Sequence, residues 1–306
     1  MTEINKVGLL FAGHGSRDDE ALIEFENTVH AVAKHFPNFL TTHGFLEFAR
    51  PTIHDALEQL RKQEVQQILA VPGMLMAAGH AKNDIPSELN NYQHQHPEIQ
   101  IQYATELGIN HQLLQLAAAR IESVEQSIGE NYSRKNTLLL VVGRGASDSD
   151  ANSNISKITR MLWEGMGFAW AETCYSGVTA PLIQDALPVV ERMGYRHVIV
   201  FPYFLFTGRL VKKIYHTVET FNSTANKTKF ICAPYLNNHE LLVSRFVDII
   251  NLNQQAQQSM NCQLCQYREQ IIGYEDSVGM VQVGHHHHVR GIGTDHDHEH
   301  HHLHHE

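Results

Sequence analysis

Short apolar runs alternate with helical patterns along most of the chain, from Val7 to about Ile250. Runs rich in Val, Ile, Leu and Phe predict buried strands, and the amphipathic segments between them predict helices that cover a sheet. This alternation is typical of βα units around a parallel sheet. The predicted strands are Val7–Ala12, Phe39–Phe45 (the weakest), Gln67–Val71, Ile99–Ala104, Leu138–Val142, Phe168–Cys174, Val198–Phe201 and Phe230–Ala233.

The helix predicted after the first strand illustrates the helical pattern. Its apolar residues recur at helical spacing and form one core-facing side. A proline cannot continue a helix, so we expect this helix to stop at Pro37. The residues of the apolar side are Leu22, Phe25, Val29, Val32, Ala33 and Phe36.

The chain also contains an internal repeat. The segments 9–15, 51–57 and 71–76 align with 139–145, 181–187 and 201–206, all at an offset of 130 residues. Three matches at one offset indicate a duplication. We therefore expect an α/β fold of two similar halves, 1–133 and 134–250, each a parallel sheet flanked by helices. The halves should face one another across a cleft, with ligands at the carboxyl ends of the strands.

Composition narrows the choice of partners. The chain has 306 residues, of which 42% are hydrophobic, enough for a sizeable core. A net charge of −10 argues against binding to a nucleic-acid backbone, although a few arginines can still hold a small anionic ligand. The first residues do not form a basic and then apolar leader, and no apolar run is long enough to span a bilayer, so we expect a cytoplasmic protein without a membrane partner.

Matched positions that differ between the halves identify candidate ligands. His14 aligns with Arg144, and Glu47 aligns with Gly177. After a one-residue gap, His80 aligns with Arg209.

The three N-terminal residues of these pairs, His14, Glu47 and His80, follow predicted strands and should meet at one edge of the sheet. Imidazole is a good ligand for Co²⁺, Ni²⁺, Fe²⁺ and Zn²⁺, and a carboxylate can complete the site or accept a proton. We therefore predict that these residues bind a metal and are catalytic. Each could instead be an ordinary surface residue of a loop.

The two arginines of the second half are candidates for binding an anionic ligand. Arg144 and Arg209 offer fork-shaped donors that match carboxylates, so they predict a site for a polycarboxylate ligand. A competing interpretation is a phosphate loop at Gly13-x-Gly15, but the third glycine of that motif is missing.

These residues lie in recognisable motifs. The segment 10–17 (LFAGHGSR), followed by 48–51 (FARP) and by Val-Pro and Gly-His at 71–80, resembles the sirohydrochlorin chelatases of the CbiX and SirB type over nearly all of residues 5–250. The resemblance implies the class II chelatase fold, with the metal held by His14 and His80 and assisted by Glu47. Ser16 and Arg50 lie in the motifs and are expected, like the two arginines above, to bind substrate.

The activity that the resemblance implies is insertion of Co²⁺ into sirohydrochlorin, a step of cobalamin biosynthesis. Insertion of Fe²⁺ for sirohaem, or of Ni²⁺, is the alternative. A rival of another class is a metal-storage protein or metallochaperone whose function lies in a His-rich tail. A nucleotide-binding enzyme would need the phosphate loop described above.

Residues 251–306 are Gln-rich and then Gly- and His-rich, which predicts a flexible appendage. Its element M-x-C-x-x-C, with Cys262 and Cys265, is similar to one in longer CbiX proteins that is associated with an iron–sulfur centre. Two thiolates are too few for a four-cysteine cluster, so a 4Fe–4S cluster would need the pair of a second chain. The chain is thus expected to be a monomer or a homodimer, and a thiol pair without a cofactor stays open.

The tail holds eleven histidines, interrupted by other residues in a way that favours a native metal reservoir over an expression tag. These are His285, His286, His287, His288, His296, His298, His300, His301, His302, His304 and His305.

Overall fold

A computed structural model of the protein describes residues 6–129, 132–225, 227–237 and 239–255. The predicted cluster ligands Cys262 and Cys265 and the histidines of the tail lie outside the described residues. Within the described part of the chain, no helix is both long enough and apolar enough to cross a membrane.

The N-terminal half is a βα alternation, as its hydrophobic pattern predicts. Its elements are β1 (Val7–Gly13), α1 (Asp19–Ala33), β2 (Leu40–Phe45), α2 (Ile53–Lys62), β3 (Gln67–Pro72), a π-helical turn (His80–Asp84), α3 (Ile85–Gln95), β4 (Gln100–Tyr103) and α4 (His111–Ile128).

The C-terminal half repeats this order. Its elements are a short 3₁₀ turn (Arg134–Asn136), β5 (Thr137–Gly143), α5 (Ser149–Met166), β6 (Trp170–Tyr175), α6 (Ile183–Arg192), β7 (His197–Pro202), α7 (Arg209–Asn222), β8 (Lys229–Cys232) and α8 (Glu240–Gln255).

Each half contains one four-stranded parallel sheet, which confirms the predicted fold class. The strand orders are β2-β1-β3-β4 and β6-β5-β7-β8. Every residue of β5 is buried, as expected for a strand covered by helices on both faces. In the first sheet β2 lies on one side of β1 and β3 on the other, and β6 and β7 flank β5 in the same way in the second sheet. The loops after β1 and β3 therefore open a crevice at the carboxyl edge, where ligands of such sheets bind.

The predicted strands are confirmed, with ends that differ by at most two residues. The end of the first helix is a correction. We expected it to run to Pro37, but α1 ends at Ala33. The amides of His35 and Phe36 donate to Val32 and Ala33, so the chain closes in tighter turns before the proline.

The internal repeat extends to unusual backbone conformations. Gly15 and Gly145 have φ values of +90° and +85°. Phe48 and Val178 are 130 residues apart, and both have positive φ, at 68° and 67°. Side chains as different as these do not favour the left-handed region, so the shared conformation comes from the duplicated loop.

The two halves share a hydrophobic core, and one cluster of buried residues contains side chains from both sheets. Helix α8 of the second half packs against α1 and α4 of the first, and the ring of Phe246 meets Phe11 edge-on at 5.6 Å. Helix α8 continues to Gln255, beyond the boundary expected near residue 250, and Asn253 on it is buried. The cleft is thus framed by one continuous packed body.

Candidate metal centre

Three loops at the carboxyl edge of the first sheet carry the candidate metal ligands. His14 follows directly on β1, Glu47 follows β2, and His80 begins the π-helical turn beyond β3. Because β1 lies between β2 and β3, these loops are neighbours in space. The fold therefore brings together side chains that are up to 66 residues apart in sequence.

The donor atoms converge. His14 Nε2 lies 3.0 Å from His80 Nε2 and 3.2 Å from Glu47 Oε1. One ligand atom from each residue lies within 4.8 Å of the others, and no other group of this kind occurs among the described residues. Two nitrogens 3.0 Å apart can both reach a single ion at about 2.1 Å, a usual metal–imidazole distance.

Hydrogen bonds on the far side of each ring fix which nitrogen carries the proton. His14 Nδ1 donates to the carbonyl oxygen of Gly15 at 3.1 Å, and His80 Nδ1 donates to Asp84 Oδ2 at 2.8 Å. Both partners accept, so a neutral ring presents an unprotonated Nε2 to the centre. Two lone pairs and one carboxylate oxygen then face each other at short range. A metal ion among them, or a proton shared by the two Nε2 atoms, makes that arrangement favourable.

Gly15 makes the close approach of the loops possible. A Cβ atom on this residue would lie 1.8 Å from the carbonyl oxygen of Glu47, and its φ of +90° suits glycine. The Glu47 amide donates to the carbonyl oxygen of His14 at 3.0 Å, which ties the two loops directly. Gly15 thus lets the Glu47 loop pack against the His14 loop.

Sequence reasoning missed Asp84, which supports His80. The carboxylate is almost fully buried and also accepts from Asn83 Nδ2 at 3.0 Å. A carboxylate behind a metal-binding imidazole fixes the ring and raises its basicity. Asp84 lies four residues after His80, a helical spacing that could have signalled the pair. The one-residue gap between the halves falls here, where the first half forms a π-helical turn.

A cavity of about 630 Å³ opens beside these ligands and is lined by both halves. His14, His80 and Ser16 line it from the first half, whereas Arg144 and Arg209 line it from the second. These predicted site residues are therefore brought to one space, together with many apolar side chains.

Arg50 is not brought to this space. It is not among the described residues that line the cavity, and its guanidinium lies 3.2 Å from Asp55 near the start of α2. Its place in the 48–51 motif does not bring its side chain into the lining of this cavity.

Arg144 interacts electrostatically with Glu47, one of the candidate metal ligands. Its side chain is accessible from the cavity but surrounded by protein on most sides, and this desolvation lowers its pKa, an effect that the carboxylate of Glu47 partly offsets. An anionic ligand in the cavity would replace the lost solvation, which makes Arg144 a favourable partner for a substrate carboxylate.

Two further cavity residues, Arg17 and Phe48, lie in the motifs of the sequence but were not predicted to belong to the site. The ring of Phe48 lies 5.6 Å from the ring of His14, and the guanidinium of Arg17 lies 4.9 Å above the same phenyl ring. Both line the cavity. They form an aromatic and cationic wall next to the ligands, suited to a flat ring system with charged substituents.

The chain is similar to known proteins in sequence and in fold. The CbiX family model matches residues 8–124 and 138–251. A sirohydrochlorin cobaltochelatase of Priestia megaterium is 35% identical over 88% of this chain and 87% of its own length. A sirohydrochlorin ferrochelatase of the same organism is 30% identical over 76% of this chain and 85% of its own.

Among solved structures, SirB from Bacillus subtilis with Fe³⁺ has a TM-score of 0.72 at 25% identity, and covers 82% of this chain and 98% of that one. A cobalt complex of SirB from Bacillus subtilis subspecies spizizenii has a TM-score of 0.68, with the same identity and coverage.

Proposed function

The chain belongs to the CbiX family of sirohydrochlorin chelatases, and from this premise we propose that it inserts Co²⁺ into sirohydrochlorin on the route to a corrin. It is a metal chelatase, an enzyme of the lyase class. The observation that carries the proposal is the convergence of His14, His80 and Glu47 beside a cavity that the two histidines line together with Arg144 and Arg209.

The two sets of residues suit the two substrates. Neutral imidazoles and a carboxylate bind a divalent first-row metal ion. Arginines recognise the carboxylate side chains of the tetrapyrrole. The apolar and aromatic remainder of the cavity suits the faces of the macrocycle. A storage protein would need the first set but gives no reason for the second.

The reaction exchanges two pyrrole N–H protons for one metal ion. His14 and His80 hold the ion through their Nε2 atoms until the ring nitrogens replace them. Glu47 accepts one proton by general base catalysis, because its carboxylate oxygen lies beside the imidazole that presents the metal. The second proton passes to an imidazole Nε2 that the ion has left. Arg144 and Arg209 hold the tetrapyrrole with its ring nitrogens facing the ion. This positioning lowers the entropic cost of bringing the two substrates together.

Cobalt is the metal we propose, because the cobaltochelatase relative is more similar to this chain than the ferrochelatase relative from the same organism. Iron is the second candidate, since ferrochelatases are also among the relatives. Imidazole and carboxylate accept both ions, so the ligand set alone does not choose between them.

The cluster predicted at Cys262 and Cys265 and the reservoir predicted for the His-rich tail stay predictions. Neither is needed for the chemistry proposed above, because the converging ligands all lie in the first half. A homodimer that shares one 4Fe–4S cluster through two Cys pairs is likewise a prediction.

The test is anaerobic absorbance spectroscopy of sirohydrochlorin mixed with the purified full-length protein and Co²⁺, Fe²⁺ or Ni²⁺ in turn. We expect rapid insertion by the wild type, fastest with Co²⁺, and no acceleration by a His14→Ala/His80→Ala variant of unchanged thermal stability. Equal rates for the wild type and the variant would contradict the proposed site. Faster insertion of Fe²⁺ would replace the cobaltochelatase assignment by the ferrochelatase one.

A further inference from the structure

A lysine is fully buried between the two halves, next to the metal centre. Lys82 has 0% exposed surface. Its ammonium lies 2.5 Å from Asp148 Oδ2 and 3.2 Å from Asp150 Oδ2, and both carboxylates belong to the C-terminal half. A buried charge is costly unless it is paired, and one that is paired across an interface fixes the two surfaces relative to each other.

The position of Lys82 links this tie to the metal ligands. Lys82 lies in the middle of the π-helical turn that begins with His80 and ends with Asp84, the two residues joined by the 2.8 Å hydrogen bond. His80 lines the cavity, whereas Lys82 does not. The turn therefore presents its imidazole to the metal site and its ammonium to the other half.

On the opposite side, the tie ends at the start of helix α5. Asp148 is the N-cap of α5, where its Oδ1 accepts from the amide of Asp150 at 2.9 Å. The same loop carries Arg144, four residues earlier, into the cavity. The ion pair thus joins the segment that holds the metal to the segment that carries a substrate-binding arginine.

The repeat shows that the fold itself does not require a lysine here. The offset of 129 that relates His80 to Arg209 also relates Lys82 to Val211, which is 1% exposed. An apolar side chain fills the equivalent place in the second half. Packing alone therefore does not explain why position 82 is a charged lysine.

We propose that Lys82 is a positioning residue of the metal centre, and that its ion pairs with the opposite half fix the turn that carries His80. This inference rests on the proposed function, since it concerns the site at which the metal is held. The ion pairs make the distance between the two imidazoles depend on how the halves are docked, so the metal site is complete only when both halves are in place.

The chain offers an internal control on the other side of the cleft. Lys212 lies 2.8 Å from Asp18 and 2.8 Å from Glu20, which correspond at the offset of 130 to the two partners of Lys82. This second tie also joins the halves, but its lysine is half exposed and lies on α7, outside the turn that carries His80. Breaking it loosens the interface without touching the His80 turn.

The experiment compares Lys82→Met with Lys212→Met in the full-length protein, without tetrapyrrole. Co²⁺ affinity is measured by calorimetric titration, and the visible spectrum of bound Co²⁺ reports on ligand geometry. For Lys82→Met we expect affinity to fall about tenfold or more and the spectrum to change, as for the loss of other groups that orient metal ligands. Lys212→Met should stay within about twofold of the wild type and keep its spectrum. In turnover, Lys82→Met should raise the KM for Co²⁺ more than that for sirohydrochlorin, because Asp148 still caps α5 at the Arg144 side.

A second pair of variants keeps the test decisive if Lys82→Met does not fold. Asp148→Asn removes the charge but keeps a side-chain oxygen that can cap α5, and Asp18→Asn is the equivalent change at the N-cap of α1. We expect only Asp148→Asn to weaken Co²⁺ binding and alter the spectrum.

The outcomes also separate this inference from the proposed function. Wild-type affinity and spectrum in Lys82→Met or in Asp148→Asn would overturn the role of Lys82 alone, provided that the wild type binds Co²⁺ and His14→Ala/His80→Ala does not. A wild type that binds Co²⁺ no better than His14→Ala/His80→Ala would overturn the proposed metal site, and this inference with it.

Discussion

Asp84 is expected to set the metal affinity of the site although it does not face the metal. Its two carboxylate oxygens are both used, one by His80 Nδ1 at 2.8 Å and the other by Asn83 Nδ2 at 3.0 Å. The substitution Asp84→Asn keeps the shape of the side chain but leaves one acceptor for two donors. It also removes the negative charge that holds the proton on Nδ1 of His80.

The size of the effect follows from these contacts. Loss of a carboxylate behind a metal-bound imidazole costs about 10- to 100-fold in metal affinity, or about 1.4 to 2.7 kcal/mol. We expect the upper part of this range, because Asp84 is buried and water cannot easily replace the missing acceptor. An unsatisfied buried donor should also lower the free energy of unfolding by about 1 to 3 kcal/mol.

The assay is Co²⁺ titration of the metal-free protein, at a temperature where thermal unfolding shows the variant to be folded. Glu164→Gln is the matched control, because it breaks another ion pair at i,i+4 spacing, that of Arg160 with Glu164, on the exposed face of α5. The control should bind Co²⁺ as the wild type does. An Asp84→Asn variant that binds Co²⁺ within twofold of the wild type would refute the assigned role.

Three further predictions concern other parts of the molecule. Arg144→Met and Arg209→Met should each raise the KM for sirohydrochlorin about tenfold or more in steady-state assays while leaving Co²⁺ binding unchanged, since a charge-assisted hydrogen bond contributes about 1.5–3 kcal/mol. Gly15→Ala should abolish insertion, because the new Cβ would lie 1.8 Å from the carbonyl oxygen of Glu47 and displace that loop. The free energy of unfolding, measured against pH in denaturant, should fall as the medium is acidified below about pH 6.5. Desolvation by burial lowers the pKa of His43, with His30 adding to this and Glu26 opposing it, so its stabilising contribution is present above that pH and lost as pH falls through the lower folded value.

Each of these has a control and a contrary outcome. Gly79→Ala should be tolerated, because a Cβ there meets nothing within 4 Å; equal activity of the two alanine variants would mean that the loop contact is unimportant. If an arginine variant weakened Co²⁺ binding instead of tetrapyrrole binding, that arginine would belong to the metal site and not to the tetrapyrrole site. His43→Gln should reduce the acid-side slope by up to about 1.4 kcal/mol per pH unit, and an unchanged slope would place the titration on other groups.

The strands were predictable because their pattern is local. A strand such as β5 is an uninterrupted apolar run, and only a buried parallel strand or a buried helix explains such a run. The end of α1 was not predictable in the same way. Pro37 restricts only the residues near it, and it does not show where α-helical hydrogen bonds give way to tighter turns. The docking of α8 onto the first half was also invisible, since no local pattern encodes which distant surface a helix covers.

The candidate ligands were predictable because the repeat could be compared with itself. His14, His80 and Glu47 differ from their counterparts in the second half, and all three follow strands whose carboxyl ends meet at one edge of the sheet. Asp84 and Lys82 were missed for opposite reasons. Asp84 pairs with His80 on its own turn, so the spacing of four residues could have indicated the pair. The partners of Lys82 lie in the other half, and their contact with it depends on how the halves pack together.

The most direct test of the metal centre is anomalous diffraction at the cobalt edge from crystals of the protein soaked with Co²⁺. The account predicts a peak within bonding distance of the Nε2 atoms of His14 and His80 and beside Glu47, and its disappearance in crystals of His14→Ala/His80→Ala. Cobalt bound elsewhere, with no peak between these two imidazoles, would contradict the account.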